Sequence, residues 1–242
     1  MVQNGVTVVL PTYNEKENMC VLSRKILETV KASVEVVVVD DDSPDLTWKA
    51  VEEMGLPSVR VIRRTNEKGL TSAIFRGIKE SRYDIVVWMD ADLSMPPEKI
   101  NELLAGLEGH DIAIGSRYVL GGKDMGDTRT AAFMSRMLGL FARTVLSIPV
   151  HDLNTGFVAT RKKLVEELGF RGDYGEYCLD FLYRAFRKGY RIVEVPYVCV
   201  PRLKGESKTA TSLLGFFVRG RKYIYSILRL RFLHAGAPTK AS

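Results

Sequence analysis

Asp84-Ile85-Val86-Val87-Trp88-Met89-Asp90-Ala91-Asp92 is an apolar run that stops abruptly on two carboxylates. Side chains this uniformly apolar leave a strand no wet face, so the strand is expected to be covered on both sides, as in parallel sheets flanked by helices. The pattern repeats upstream. Val6 to Leu10 ends at Pro11, Val34 to Val39 ends at Asp40-Asp41-Asp42, and Val59 to Ile62 is a third extended run. Helical periodicity fills the gaps over 15–31, 47–54 and 70–81. Ligands in open α/β sheets collect at the carboxyl ends of strands, and the acid clusters of this chain fall at those ends.

The second half is less regular. A helix is expected over 98–107 after Pro96-Pro97, a strand over 112–115, and a mobile Gly/Asp loop over 121–128. A long helix is expected over 131–148, a strand over 156–160, a helix over 176–188, a strand over 192–196 and a last helix over 213–232. The expected fold class is α/β, a mostly parallel sheet flanked by helices. One domain is assigned to 1–210, followed by a basic amphipathic helix and tail over 211–242.

Apolar and charged residues make up 46% and 26% of the 242-residue chain, the proportions of an ordinary globular protein. The formal net charge of +6 is uneven, because the segment from Pro201 onward holds nine Lys or Arg and one acid, Glu206. A near-neutral body with a cationic tail favours phosphate-bearing partners. Nucleic acid is set aside, since no known nucleic-acid module or stacking platform of interleaved aromatics is present. No uncharged stretch approaches the ~20 residues that span a bilayer. Cys20, Cys178 and Cys199 are odd in number and lack metal spacing, which fits a reducing compartment. A cytoplasmic protein, peripheral on a membrane, is expected.

Asp90 and Asp92, one residue apart at a strand end, can converge on one Mg²⁺ or Mn²⁺, hard ions that take oxygen ligands and complete their shell with water and phosphate. The alternative is a solvated acidic turn. Asp40, Asp41 and Asp42 repel one another, so donors or a cation should compensate them. The base and ribose of a nucleotide offer such donors. The competing reading is an Asx-type turn, with Asp45 capping the helix near Thr47.

In order along the chain stand Pro11-Thr12-Tyr13-Asn14-Glu15, Val39-Asp40-Asp41-Asp42-Ser43, Asn66-Glu67-Lys68-Gly69 with Ala73, and Asp90-Ala91-Asp92-Leu93-Ser94. Gly115-Ser116-Arg117-Tyr118, Asp152-Leu153-Asn154-Thr155-Gly156-Phe157 and Arg202-Leu203-Lys204-Gly205-Glu206-Ser207-Lys208 follow. This succession resembles glycosyltransferase family 2, and the last piece resembles its dolichol-phosphate mannose synthases and related polyprenyl-phosphate glycosyltransferases. The resemblance implies a GT-A fold, a GDP-mannose donor and a dolichyl or polyprenyl phosphate acceptor. It places Pro11, Tyr13, Glu15, Asp40 and Asp41 at the nucleoside, and Asp90 and Asp92 on the metal. Ser94 stands where relatives often carry a Gln ligand, so a shorter hydroxyl or a water would serve there. Arg117 and Arg129 would meet phosphates, and Arg202, Ser207 and Lys208 would close over donor and acceptor. Asp92, Arg117, Arg202 and Lys208 are thus the catalytic candidates. Transfer of glucose or another sugar from a UDP-sugar to polyprenyl phosphate, or a catalytically silent membrane adaptor, are the rival readings.

An anionic lipid phosphate can attack an anomeric carbon without a general base, so a single displacement needs placement and charge neutralisation rather than a protein nucleophile. His110, His151 and His234 are accordingly expected to be structural. Asp152 suits either an acceptor-side or a loop-capping role. Arg129, Arg136 and Arg143 recur every seven residues beside an apolar face, and the last helix mixes aromatics with arginine. Both helices fit a membrane interface; core packing with the arginines in water is the alternative. Small membrane subunits are a possible further attachment.

Overall fold

The computed structural model describes residues 5–126, 129–173, 175–201 and 213–233, the side chains of 129–133, 213–219 and 233 excepted. Seven strands form one sheet. They are β1 (Gly5–Thr12), β2 (Ser33–Asp40), β3 (Val59–Arg63), β4 (Ile85–Trp88), β5 (Ile112–Ser116), β7 (Val158–Arg161) and β8 (Ile192–Pro196). Two-residue strands β6 (Lys123–Asp124) and β9 (Val198–Cys199) form a separate parallel ladder. The helices are α1 (Lys16–Thr29), α2 (Thr47–Glu53), α3 (Leu70–Lys79), α4 (Lys99–Gly106), α5 (Arg129–Leu146), α6 (Lys162–Leu168), α7 (Glu176–Arg187) and α8 (Leu213–Leu233).

The sheet order is β3-β2-β1-β4-β7-β5-β8. All neighbours are parallel except β7, which runs antiparallel to both β4 and β5. The uniformly apolar strands are buried on both faces, as their composition requires. Val9, Val37, Val39, Val86 and Trp88 point to one layer, where α3, α5, α6, α7 and α8 contribute to the core. Val8, Leu10, Val36, Val38, Val87 and Met89 point to the other, with α1, α2 and α4. Helix α3 packs so closely that a Cβ on Gly77 would lie 2.4 Å from Val9 Cγ1.

Two expectations need correction. The segment 121–128 is not simply a loop, since Lys123 and Asp124 pair with Val198 and Cys199. Strands of two residues leave no periodicity to detect. Helix α6 was also not foreseen. It follows β7 directly and buries Leu164, Val165 and Leu168. Helix α8 is joined to the body, with Ile227 and Leu230 buried in the same core layer as α5 and α7.

Candidate active site

The parallel strands β1, β2 and β4 all end at one sheet edge, and their exits build the site. Residues 13–16, leaving β1, are stitched to the loop after β2. The backbone N–H of Asn14 donates to Ser43 Oγ (2.9 Å), that of Glu15 to Thr47 Oγ1 (3.0 Å) and that of Lys16 to Asp45 Oδ2 (3.1 Å). These side chains satisfy donors that the start of α1 leaves open and so fix Tyr13 and Glu15 in place. Asp45 also accepts the Thr47 N–H (3.0 Å), the capping contact expected of it.

The three adjacent aspartates have separate protein partners. Asp40 is fully buried and accepts from Thr12 Oγ1 (3.0 Å), Ser43 N (2.8 Å) and Ser43 Oγ (2.6 Å). Arg64, itself buried, binds Asp41 through Nε (2.7 Å), and Gly69 N–H adds a bond of 2.7 Å. Asp42 takes Arg63 Nε at 2.7 Å. The compensation that charge repulsion demands therefore comes from the chain. Asp40 lies beneath the loop with these partners and does not line the cleft, whereas Asp41 stands on the cleft wall. The basic pair Arg63-Arg64, at the end of β3 beside Asp40, was the available signal.

A cleft of about 350 Å³ runs along this edge, lined by Pro11, Thr12, Tyr13, Glu15, Asp41, Leu70, Ala73, Tyr177 and Tyr223, with Asp90, Asp92, Asn154, Thr155 and Gly156 at its inner end. The Lys68 ammonium lies 5.0 Å over the Tyr13 ring. A smaller compartment of about 120 Å³ continues past the same five inner residues to Ser94, Arg117, Asp124, Tyr197 and Cys199. Asp90 and Asp92 thus stand where the two chambers meet.

The turn that presents them is unusual. Leu93 has φ 63°, a left-handed conformation costly for a branched side chain, yet that side chain is buried in the core. Asp92 Oδ1 accepts the Ser94 N–H at 3.0 Å. Opposite, a Cβ on Gly156 would lie 3.1 Å from Asp90 Oδ1, so a larger residue would crowd that carboxylate. Two carboxylates and a serine hydroxyl form a hard-oxygen donor set that suits Mg²⁺ or Mn²⁺. Among the described residues no group of three or more His, Cys, Asp or Glu could hold a metal ion, so phosphate and water would complete the shell. Burial pushes the Cys199 thiol up to about 11, which keeps it protonated at neutral pH in the ligand-free site.

Arg117 is held by carboxylates. Its Nε and Nη2 grip both oxygens of buried Asp152 (2.8 and 2.9 Å), and Nη1 reaches Asp124 (3.2 Å). Burial would lower its pKa, but Asp152 more than reverses this and holds the guanidinium firmly charged. The guanidinium expected to meet a phosphate lines the smaller chamber and carries these carboxylate partners. Asp152 also takes the Arg117 N–H at 3.0 Å, a contact of the loop-capping kind. Glu194 anchors the same loop, accepting from His151 N (2.8 Å) and Asp152 N (3.1 Å) and contacting His151 Nδ1 (2.8 Å). His110 Nδ1 meets Gly106 O at 3.0 Å, a local contact as anticipated. Glu194, Asp124, Tyr177 and Tyr223 carried no motif and were missed. The side chain of Arg129, and Arg202, Ser207, Lys208 and His234, lie outside the described residues.

On the α5–α8 side, Met134, Met137, Leu140, Phe141, Ile224, Tyr225, Leu228 and Phe232 are exposed large apolar side chains, with Arg136, Arg229 and Arg231 also exposed. No helix among the described residues is long and apolar enough to cross a membrane.

A family model described as glycosyl transferase family 2 matches residues 7–169. The chain is 39% identical over 233 residues to a dolichol-phosphate mannosyltransferase of Pyrococcus furiosus, covering 93% of this chain but 64% of that relative's length. It is 34% identical to a polyprenol monophosphomannose synthase of Mycolicibacterium smegmatis (85% of this chain, 81% of the relative). It is 36% identical to an undecaprenyl-phosphate mannosyltransferase of Micrococcus luteus (87% and 89%). Among solved structures, glucosyl-3-phosphoglycerate synthase from Mycobacterium tuberculosis, crystallised with Mn²⁺ and UDP, superposes with a TM-score of 0.72 at 22% identity, over 94% of this chain and 80% of that one. That likeness establishes the fold, the GT-A arrangement expected above.

Proposed function

The chain belongs to glycosyltransferase family 2, and from that premise we propose that it moves mannose from GDP-mannose to the phosphate of a polyprenyl or dolichyl lipid, inverting the anomeric centre in a single displacement. The observation that carries the reading is the ridge of Asp90 and Asp92 between a nucleoside-sized recess and an inner chamber. The three mannosyltransferase relatives support the choice of sugar and of a lipid-phosphate acceptor.

In this reading Tyr13, Glu15 and Asp41 line the nucleoside recess, with Asp41 held by Arg64. A Mg²⁺ or Mn²⁺ ion held by Asp90 and Asp92, with Ser94 or water beside them, would supply positive charge against the departing diphosphate. Arg117, pinned by Asp152, fixes the inner wall against which the reacting groups are aligned. Arg129, Arg202, Ser207 and Lys208 are proposed to neutralise donor and acceptor phosphates. The exposed apolar side chains of α5 and α8 with their flanking arginines are proposed to rest on the cytoplasmic face of a membrane, where each basic residue adds ~1 kcal/mol near anionic lipid.

A screen of nucleotide sugars with polyprenyl phosphate in detergent tests this directly. Radiolabelled mannose should enter an organic-extractable, acid-labile product only with GDP-mannose and a divalent cation. Label confined to the aqueous phase rejects the lipid acceptor, and transfer from UDP-glucose instead rejects the donor. Tyr225→Asp with Phe232→Asp should abolish sedimentation with anionic vesicles; undiminished sedimentation removes the α8 surface from the proposal.

A further inference from the structure

Asn154 sits on the ridge between the two chambers, beside Asp90 and Asp92. Its Oδ1 is buried and accepts no hydrogen bond. Folded proteins leave few such atoms, and each calls for an explanation. The side chain is not held on a slack loop. Two residues earlier, Asp152 is clamped to Arg117 (2.8 and 2.9 Å) and, through its N–H, to Glu194 (3.1 Å). Just after it, Thr155 Oγ1 accepts the Phe157 N–H at 3.1 Å, and Gly156 lies against the Asp90 carboxylate. A rigid loop thus carries one unsatisfied amide oxygen to the junction.

The chemistry of the site limits what can satisfy it. An amide oxygen only accepts. The ionised diphosphate of a donor and the phosphate of a lipid acceptor carry no hydrogen to give, and their oxygens repel it. The nucleoside has donors, but they belong in the recess of Tyr13 and Asp41. Two partners remain: a cation held by Asp90 and Asp92, which the bare diphosphate would feel as much as the sugar nucleotide, and the hexose, which bears several hydroxyl donors and joins the diphosphate at the carboxylate ridge. Resting on the function proposed above, we infer that Asn154 is a specificity-determining residue whose amide oxygen accepts a hydroxyl of the donor sugar. The energy it contributes is read only by sugar-bearing nucleotides. The amide N–H groups can donate to a neighbouring ring oxygen, so the side chain suits a pair of adjacent hydroxyls.

The test is calorimetric titration of the whole chain with Mn²⁺, without acceptor, using GDP against GDP-mannose and UDP against UDP-glucose. Wild type, Asn154→Ala and Asn154→Leu are compared. Leu keeps the branching of Asn and removes the unsatisfied oxygen but is larger, so the melting temperature of each ligand-free variant is measured to establish that it is folded. Both variants should bind the bare diphosphate within about twofold of wild type and the sugar nucleotide at least about fivefold more weakly. Equal weakening of both ligands, or of neither, overturns the inference. If wild type favours the uridine pair and the variants lose only the sugar increment, the donor assignment falls while the role of Asn154 stands. If wild type binds neither pair, both fall together.

Discussion

Strand β2 begins and ends with buried carboxylates, and they do different work. At its start, Glu35 accepts Thr7 Oγ1 (2.8 Å), Arg60 Nε (2.9 Å) and Arg82 N–H (2.9 Å), which ties β1, β3 and the α3–β4 connection together. No cavity opens there among those described. At the opposite edge, Asp41 together with Asp90 and Asp92 borders a cleft. Glu35, Asp41 and Asp92 are all buried carboxylates and Asp90 is half-buried; what separates the two sets is the sheet edge at which they stand. In parallel strands the carboxyl ends diverge into loops, and the space between the loops is where a ligand fits. The amino-terminal edge has no such space, so its charge is satisfied within the fold and serves as a staple.

The sharpest way to break the comparison is Asp92→Asn. Transfer activity should fall at least about a hundredfold, with the melting temperature of the ligand-free protein unchanged; a large loss of stability would make Asp92 a staple too. Glu35→Gln should do the reverse. Loss of its charged bonds should cost roughly 2 kcal/mol, about 5 °C for a chain of this size, while the activity of the folded fraction is preserved. Glu194→Gln tests the intermediate case of a carboxylate that positions site residues from behind. A several-fold fall in kcat with KM for GDP-mannose unchanged is expected, and a fall in KM-dependent binding alone would place Glu194 nearer the nucleotide. The smallest effect is in pH. Burial raises the Glu35 pKa, but the Arg82, Arg60 and Thr7 hydrogen bonds outweigh it, and the net value lies below the ordinary 4.5. Its stabilisation is therefore present above that pH and lost as pH falls through the folded value. The melting-temperature gap between wild type and Glu35→Gln should narrow below pH 4.5, and a gap constant from pH 7 to 3 would remove the charge from the explanation.

The strands flanking the site were readable because double burial leaves an unbroken apolar run, and Asp90 and Asp92 were readable because the run ends on them. The antiparallel placement of β7 was not, since Val158–Arg161 has the same composition whichever way it runs. The partners of Asp41 and Arg117 were hidden for another reason. Arg64 and Asp152 sit 23 and 35 positions away, and only the folded sheet brings them into contact. Sequence order located the acids but left their compensation to a ligand, where the chain itself supplies it. Asn154 lay within a quoted motif, yet nothing in the tripeptide around it distinguishes an unsatisfied amide from a capped one.

The inserted strand bears on how the molecule is made. While the nascent chain emerges, β1 to β4 can assemble from neighbouring segments, but the free side of β4 must wait for residues 158–161, and β5 pairs only with β7 and β8. Until then two apolar strands present open hydrogen-bonding edges, a hazard for association between growing polypeptides. Because the loop that bears Asn154 leads directly into β7, closing the sheet's midline and raising the cleft's inner wall are one late event in synthesis.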